Sequence, residues 1–134
     1  MLSGYRKYSG NDRRRFQRLD LNVVVMYSVA EPLTIRATVG DREIEATMLN
    51  LSLGGMGLLT EYNLPVWTLL DIRFTLTRIT KEGTVGMYGP MRIRGEVRSN
   101  VPLDEKEYRL GISFIRIEDK DKVGLTEFLK SIMR

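Results

Sequence analysis

Residues 11–21 read NDRRRFQRLDL, and residues 50–55 read NLSLGG. The first stretch holds four arginines in six positions: Arg13, Arg14, Arg15 and Arg18. A guanidinium presents a planar fork of donors that grips an oxyanion with two parallel bonds. In the second stretch, the Asn50 amide offers an acceptor and donors, and the Ser52 hydroxyl offers both in one atom. Gly55 has no Cβ, so the backbone there can turn sharply or let another group approach. None of these residues needs to exchange a covalent bond. The chemistry on offer is recognition of an anion. The arginines alone leave three uses open: a solvated basic run, an arm that lies along nucleic acid, or a pocket for a phosphorylated ligand.

Composition narrows the function classes. The chain has 134 residues, no cysteine and no histidine. Disulfides, thiolate chemistry, the commonest general base and the commonest zinc ligand are therefore all missing. A non-enzymatic protein with no metal and no cofactor is expected. There is no apolar run long enough to span a bilayer, and MLSGYRKYSG lacks the apolar core of a signal peptide. The expected setting is cytoplasmic, without membrane insertion. Charge is unevenly placed. Residues 1–18 carry six basic residues and one acidic, whereas the other 116 carry 15 basic and 16 acidic. That asymmetry points to an anionic partner met by the N-terminal segment.

The elements that must position these residues are mostly strands. Residues 1–12, with Gly4, Gly10, Ser3 and Ser9, show no periodicity and read as a flexible arm or linker, leaving 13–134 as the domain. LDLNVVVMYSV places Leu19, Leu21, Val23 and Val25 on one strand face. LTIRATV alternates in the same way and reads as a further strand, followed by a Gly40-Asp41 turn into REIEATMLNLS. LLDIRFTLTRI puts Leu70, Ile72, Phe74 and Leu76 on one face. KEGTVGMYGP reads as a long loop or hairpin tip. MRIRGEVRSN turns Met91, Ile93, Gly95 and Val97 inward and Arg92, Arg94, Glu96 and Arg98 outward. EYRLGISFIRI repeats the alternation with Tyr108, Leu110, Ile112 and Phe114. In LPVWTLL, Trp67 reads as packing at a barrel edge. Short strands at this spacing predict an antiparallel sandwich or small barrel. The close differs: Leu125, Phe128, Leu129, Ile132 and Met133 define one face of a helix over about 119–133, with Asp119 or Asp121 as its N-cap.

Arg14 and Arg18 form R-x-x-x-R with Arg13 directly before. Asn50, Ser52 and Gly55 form N-x-S-x-x-G about 30 residues on. This pair, in a β-rich chain with a YRLGISF strand and a closing helix, resembles the PilZ family, whose members bind the second messenger cyclic di-GMP. The resemblance runs from about Arg13 to the C-terminus. It implies an all-β fold, a small antiparallel six-stranded split β-barrel with one C-terminal helix. It implies a cyclic di-GMP receptor or adaptor whose basic arm closes over the ligand on the barrel's outer surface. The implied ligand residues are Arg13, Arg14, Arg18, Asn50, Ser52 and Gly55, with Arg15, Gly54 and Arg98 as secondary positions. The family more often has Asp where this chain has Asn50. An arginine before R-x-x-x-R accompanies binding of two intercalated ligands, so two cyclic di-GMP per chain are expected, together with a downstream protein that the sequence does not name.

The residue chemistry suits such a ligand. Arginine meets guanine O6 and N7, or phosphate, with two parallel bonds, and its flat face stacks on a purine. The guanine N1–H and N2–H donors need an acceptor, which the Asn50 carbonyl supplies. Two other classes stay open: a small basic barrel that binds RNA or single-stranded DNA through the arm, and a PilZ-like protein-interaction module. Nucleic acid is not the expected partner, because the aromatic residues Tyr27, Phe74, Tyr108 and Phe114 fall mostly on core-type positions rather than alternating with basic ones on an outer face.

Overall fold

A computed structural model describes residues 6–7, 17–104 and 106–132. The chain runs β1 (Arg6–Lys7), β2 (Leu19–Glu31), α1 (Leu33–Val39), β3 (Ile44–Leu51), β4 (Gly55–Thr60), β5 (Leu69–Ile79), β6 (Val85–Asp104), β7 (Glu107–Ile117) and α2 (Asp119–Ile132). All pairings are antiparallel, in the order β1-β2-β3-β4-β7-β6-β5. β2 closes the ring. Its first part pairs with β3 from Leu19 to Tyr27, and its second part pairs with β5 from Met26 to Glu31. Only a strand this long can serve two neighbours in succession. The six strands β2 to β7 thus form the expected barrel, and α2 is the expected closing helix.

The core follows the alternation read from the sequence. Leu70, Ile72, Phe74 and Leu76 are buried, as are Met91, Ile93 and Val97 on β6 and Leu110 and Ile112 on β7. On β2, Leu19, Leu21, Val25, Tyr27 and Val29 are buried, while Val23 is half-buried at a register shift. Each fully buried leucine or phenylalanine contributes about 1.5–3 kcal/mol of apolar transfer free energy. α2 buries Leu125, Phe128 and Leu129, and Phe128 meets the Tyr88 ring edge-to-face at 5.4 Å.

Three expectations are corrected and one is narrowed. LTIRATV is not a strand but α1. Seven residues are too few for period two to be told from a helix, and Ile35 and Val39, four apart, pack the same side onto the core. Of the two readings of KEGTVGMYGP, the hairpin tip holds and the long loop does not. The hairpin turn is confined to Thr80–Thr84, where the Thr80 N–H donates to the Thr84 carbonyl at 2.8 Å, and Val85 already starts β6. Neither Asp119 nor Asp121 caps α2. Both lie in its first turn, and the Glu118 carbonyl accepts the N–H of Asp121 and Lys122. The buried Asp121 carboxylate instead accepts the Arg92 backbone N–H at 3.2 Å, tying α2 to β6. Trp67 does not pack into the barrel edge. It is 64% exposed, at φ +81°.

A buried polar pair crosses the core. The Tyr27 and Thr60 hydroxyls share a hydrogen bond at 2.7 Å. Burial strips solvent from the phenolate and pushes Tyr27 from 10.0 up to about 12. The unfolded chain's tyrosine ionises near pH 10, whereas the folded one keeps its proton to about 12. The Tyr27 contribution is therefore fully present below pH 10 and is lost as pH rises across that window. Urea unfolding at pH 9 and pH 11 is expected to show a Tyr27-dependent loss of roughly 1 kcal/mol. Tyr27→Phe should remove that part of the alkaline decline.

Candidate functional site

β3 and β4 are joined by a tight turn at Ser52–Gly54. The Ser52 N–H donates to the Gly55 carbonyl at 2.9 Å, closing it. The Ser52 hydroxyl accepts the Gly54 N–H at 3.2 Å and donates to the Gly55 carbonyl at 3.4 Å. The Gly54 carbonyl accepts the Phe114 N–H at 2.9 Å, so the turn is stitched to β7. Glycine is required at position 55 by this neighbour. A Cβ there would lie 2.1 Å from the Ile112 carbonyl oxygen, far inside contact distance. The close approach that Gly55 permits is thus between β4 and β7.

Asn50 is 4% exposed, and the register shift between Met48 and Asn50 sets it on the face of Gly57, while Leu51 and Met56 turn into the core. Across the barrel wall it pairs with Asp20 on β2 and Gly57 on β4. A Cβ at position 57 would lie 2.5 Å from Asn50 Nδ2, so Gly57 makes room for the Asn50 amide. Arg18, immediately before β2, donates from Nη1 to Asn50 Oδ1 at 3.1 Å. Two residues that are 32 apart in sequence, one from each motif, are therefore in direct contact. Arg13, Arg14 and Arg15 lie outside the described residues.

The Asn50 row continues outward across the sheet. Gly57 pairs with Gly111 on β7, and Gly111 pairs with Ser99 on β6. Met56, Leu58, Leu110 and Ile112 are buried inside, which leaves both glycines facing out. A Cβ at 111 would lie 2.4 Å from Ser99 Oγ. The Asn50 amide thus lies over Gly57 and the Ser99 hydroxyl over Gly111, and each glycine makes room for the polar group that covers it. The motif spacing did not reveal Gly57, Gly111 and Ser99 as a unit. Only cross-strand register joins them.

Arg98 stands apart from this cluster. Its Nε forms an ion pair with Glu96 Oε1 at 2.7 Å, and its guanidinium lies 5.1 Å from the Trp67 ring centroid. Glu96 pairs with Ser113, which pairs with Gly55. At roughly 4.8 Å per strand, Glu96 is about 10 Å across the sheet from Gly55, and Arg98 lies two residues further along β6. Among the described residues, no group of three or more acidic side chains could hold a metal ion.

The PilZ domain family model matches residues 12–131. The chain is a PilZ domain. Solved structures of this family share the fold. The PilZ domain of YcgR from Escherichia coli with c-di-GMP has a TM-score of 0.58 at 18% identity, covering 92% of this chain and 93% of that one. The Bacillus subtilis inhibitor of motility MotI (DgrA) has a TM-score of 0.62 at 16% identity, covering 90% and 51%. The K. pneumonia MrkH–c-di-GMP complex has a TM-score of 0.62 at 15% identity, covering 91% and 52%. This PilZ chain thus spans about half the length of MotI and of MrkH. Comparison with curated proteins finds no match. No helix among the described residues is long and apolar enough to cross a membrane.

Proposed function

We propose that this PilZ domain is a cyclic di-GMP receptor that uses its basic arm as a clamp. The observation that carries the reading is the Arg18–Asn50 hydrogen bond, which brings the R-x-x-x-R and N-x-S-x-x-G motifs to one place. PilZ domains of two relatives, YcgR and MrkH, have been solved with c-di-GMP. In this reading, Arg18 and Arg14 grip phosphate or the guanine O6/N7 edge. Asn50 holds Arg18 in place through one lone pair of Oδ1 and offers the other to a guanine donor. Ser52 keeps the turn closed and presents its hydroxyl to the ligand. Gly55 holds the turn against β7, and Gly57 and Gly111 seat the Asn50 amide and the Ser99 hydroxyl close against the wall. Arg13 would engage a second, intercalated cyclic di-GMP. Arg15, Gly54 and Arg98 are secondary contacts.

The arm's arginines outnumber what its few apolar residues could anchor, so in this reading its closure draws on the ligand's phosphates. Fixing the backbone costs about 1–2 kcal/mol per residue. Charge-assisted bonds, each roughly 1.5–3 kcal/mol, offset it. Signalling is then a change from a loose to a closed arm, passed to a downstream protein. The nucleic-acid reading is less well supported. Among the described residues Trp67 is the one exposed aromatic, whereas a single-strand binder stacks bases on several.

Isothermal titration of the purified chain with cyclic di-GMP tests the reading, with GTP and a short single-stranded oligonucleotide as controls. Micromolar or tighter binding of cyclic di-GMP alone, near two per chain, is the expected result. A stoichiometry of one would remove the paired-ligand role of Arg13. Salt-sensitive oligonucleotide binding without cyclic di-GMP binding would overturn the receptor. Ser52→Ala is expected to weaken binding by about 1–2 kcal/mol, the loss of one polar contact. An unchanged dissociation constant in the same titration would leave Ser52 as a turn residue only.

A further inference from the structure

The outward positions of β5, β6 and β7 carry a block of arginines away from the Asn50 row. Arg73 on β5 stands directly opposite Arg92 on β6, and Arg94 on β6 directly opposite Arg116 on β7. Like charges placed directly across a ladder repel, so this arrangement works against the sheet unless anions compensate. Two of the four are compensated within the chain. Arg73 donates from Nε and Nη2 to the two Glu43 carboxylate oxygens at 3.0 and 2.7 Å. Arg94 donates in the same forked way to Asp71 at 2.9 and 3.1 Å. The other two make no such contact, although, after the Arg73 hydrogen bond, Arg92 stands near enough to Glu43 to help hold its carboxyl pKa down. Among the described residues, neither the Arg92 nor the Arg116 guanidinium has an ion pair or hydrogen bond, and both residues are exposed. They border a depression of about 390 Å³ whose wall also includes Arg73, Arg94 and Glu118.

We propose that this depression docks an acidic segment of a partner protein, with two carboxylates in an extended Glu-x-Glu or Asp-x-Asp stretch occupying the open forks of Arg92 and Arg116. The spacing supports it. Because Arg94 is the residue opposite Arg116, Arg92 and Arg116 are diagonal neighbours. Diagonal positions across an antiparallel pair lie about 7–8 Å apart. Side chains two residues apart on one face of an extended peptide lie about 6.8 Å apart. The chemistry supports it too, since the adjacent Arg73 and Arg94 already hold carboxylates in the forked geometry that the open pair lacks. A protein is favoured over nucleic acid. Glu43, Asp71 and Glu118 are interleaved with the four arginines around the depression. A continuous chain of phosphates would have to run over those carboxylates, whereas two separate side chains slot between them. The depression is also distinct from the Asn50 row. That row crosses β7 at Gly111, five residues from Arg116, or about 17 Å along the strand. The proposal therefore does not depend on the cyclic di-GMP reading.

The test is an NMR titration of the isotope-labelled chain, following arginine Nε–Hε signals. The probes are acetyl-Gly-Glu-Gly-Glu-Gly-amide, its Gln-for-Glu counterpart, an adjacent-glutamate version and a short single-stranded oligonucleotide. The Glu-Gly-Glu peptide is expected to shift Arg92 and Arg116 saturably, at least fivefold more tightly than either other peptide. Arg36 and Arg109 should stay in place. In Arg92→Gln/Arg116→Gln the binding should disappear without a fall in the thermal midpoint, since both side chains are exposed and the like-charge repulsion across the ladder is relieved. Equal shifts at Arg36 or Arg109, or equal binding of the Gln peptide, would overturn the proposal. So would an oligonucleotide that engages the same two arginines more tightly, which would assign the depression to nucleic acid.

Discussion

Arg18→Ala is expected to reduce cyclic di-GMP affinity by at least about 3 kcal/mol, more than roughly 100-fold, while the fold survives. The magnitude comes from the fork. A guanidinium that meets phosphate or guanine makes two charge-assisted bonds, each about 1.5–3 kcal/mol. Truncation removes both, and it also leaves Asn50 without the donor that it now meets at 3.1 Å. The fold should tolerate the change because Arg18 precedes β2 and is only half-buried, whereas its neighbour Leu19 is fully buried and untouched. Titration calorimetry gives the affinity, and thermal unfolding gives the control. Arg36→Ala is the matched comparison. Arg36 sits on α1, paired with Asp41 at 2.8 Å, and its loss should leave binding unchanged. If Arg36→Ala and Arg18→Ala weaken binding alike, the ligand senses overall charge and no clamp exists. If neither does, the site lies elsewhere on the chain.

Gly55→Ala is expected to cost about 2–3 kcal/mol of stability, a fall of roughly 6–12 °C in Tm for a chain of this size. A single methyl has this effect because its neighbour is main chain. The added Cβ would stand 2.1 Å from the Ile112 carbonyl oxygen. A side chain could rotate away, but a strand carbonyl cannot move without β4 and β7 separating where Gly55 pairs with Ser113. The Phe114 N–H bond to the Gly54 carbonyl would be strained with it. Cyclic di-GMP affinity should fall as well, because the turn that presents Ser52 is anchored by these same contacts. Gly83→Ala provides the contrast. Gly83 lies at the exposed hairpin turn with nothing within 4 Å of its Cβ position, and its cost comes only from its φ of +83°. A Tm for Gly55→Ala at or above that of Gly83→Ala would show that the β4–β7 approach is not tight.

The sequence alone determined the alternation of β5, β6 and β7 and the apolar face of α2. Each is a local repeat: Leu70, Ile72, Phe74 and Leu76 for a strand, and Leu125, Phe128 and Leu129 for a helix. It also determined which residues carry recognition chemistry, since Arg18, Asn50 and Ser52 declare their donors and acceptors by type. LTIRATV escaped that logic because seven residues fit either period, and the choice fell to the packing of Ile35 and Val39 on the core. Tertiary structure decided everything that depends on register between distant strands. It brought Arg18 to Asn50, aligned Gly57 with Gly111 beneath the Asn50 and Ser99 side chains, left Trp67 exposed beneath Arg98, and set Arg92 diagonal to Arg116. The physical reason is that a strand's own pattern fixes which side of the sheet each residue faces. Which residue stands opposite depends on ring closure through β2 and on register shifts such as those between Asp20 and Val23 or Met48 and Asn50.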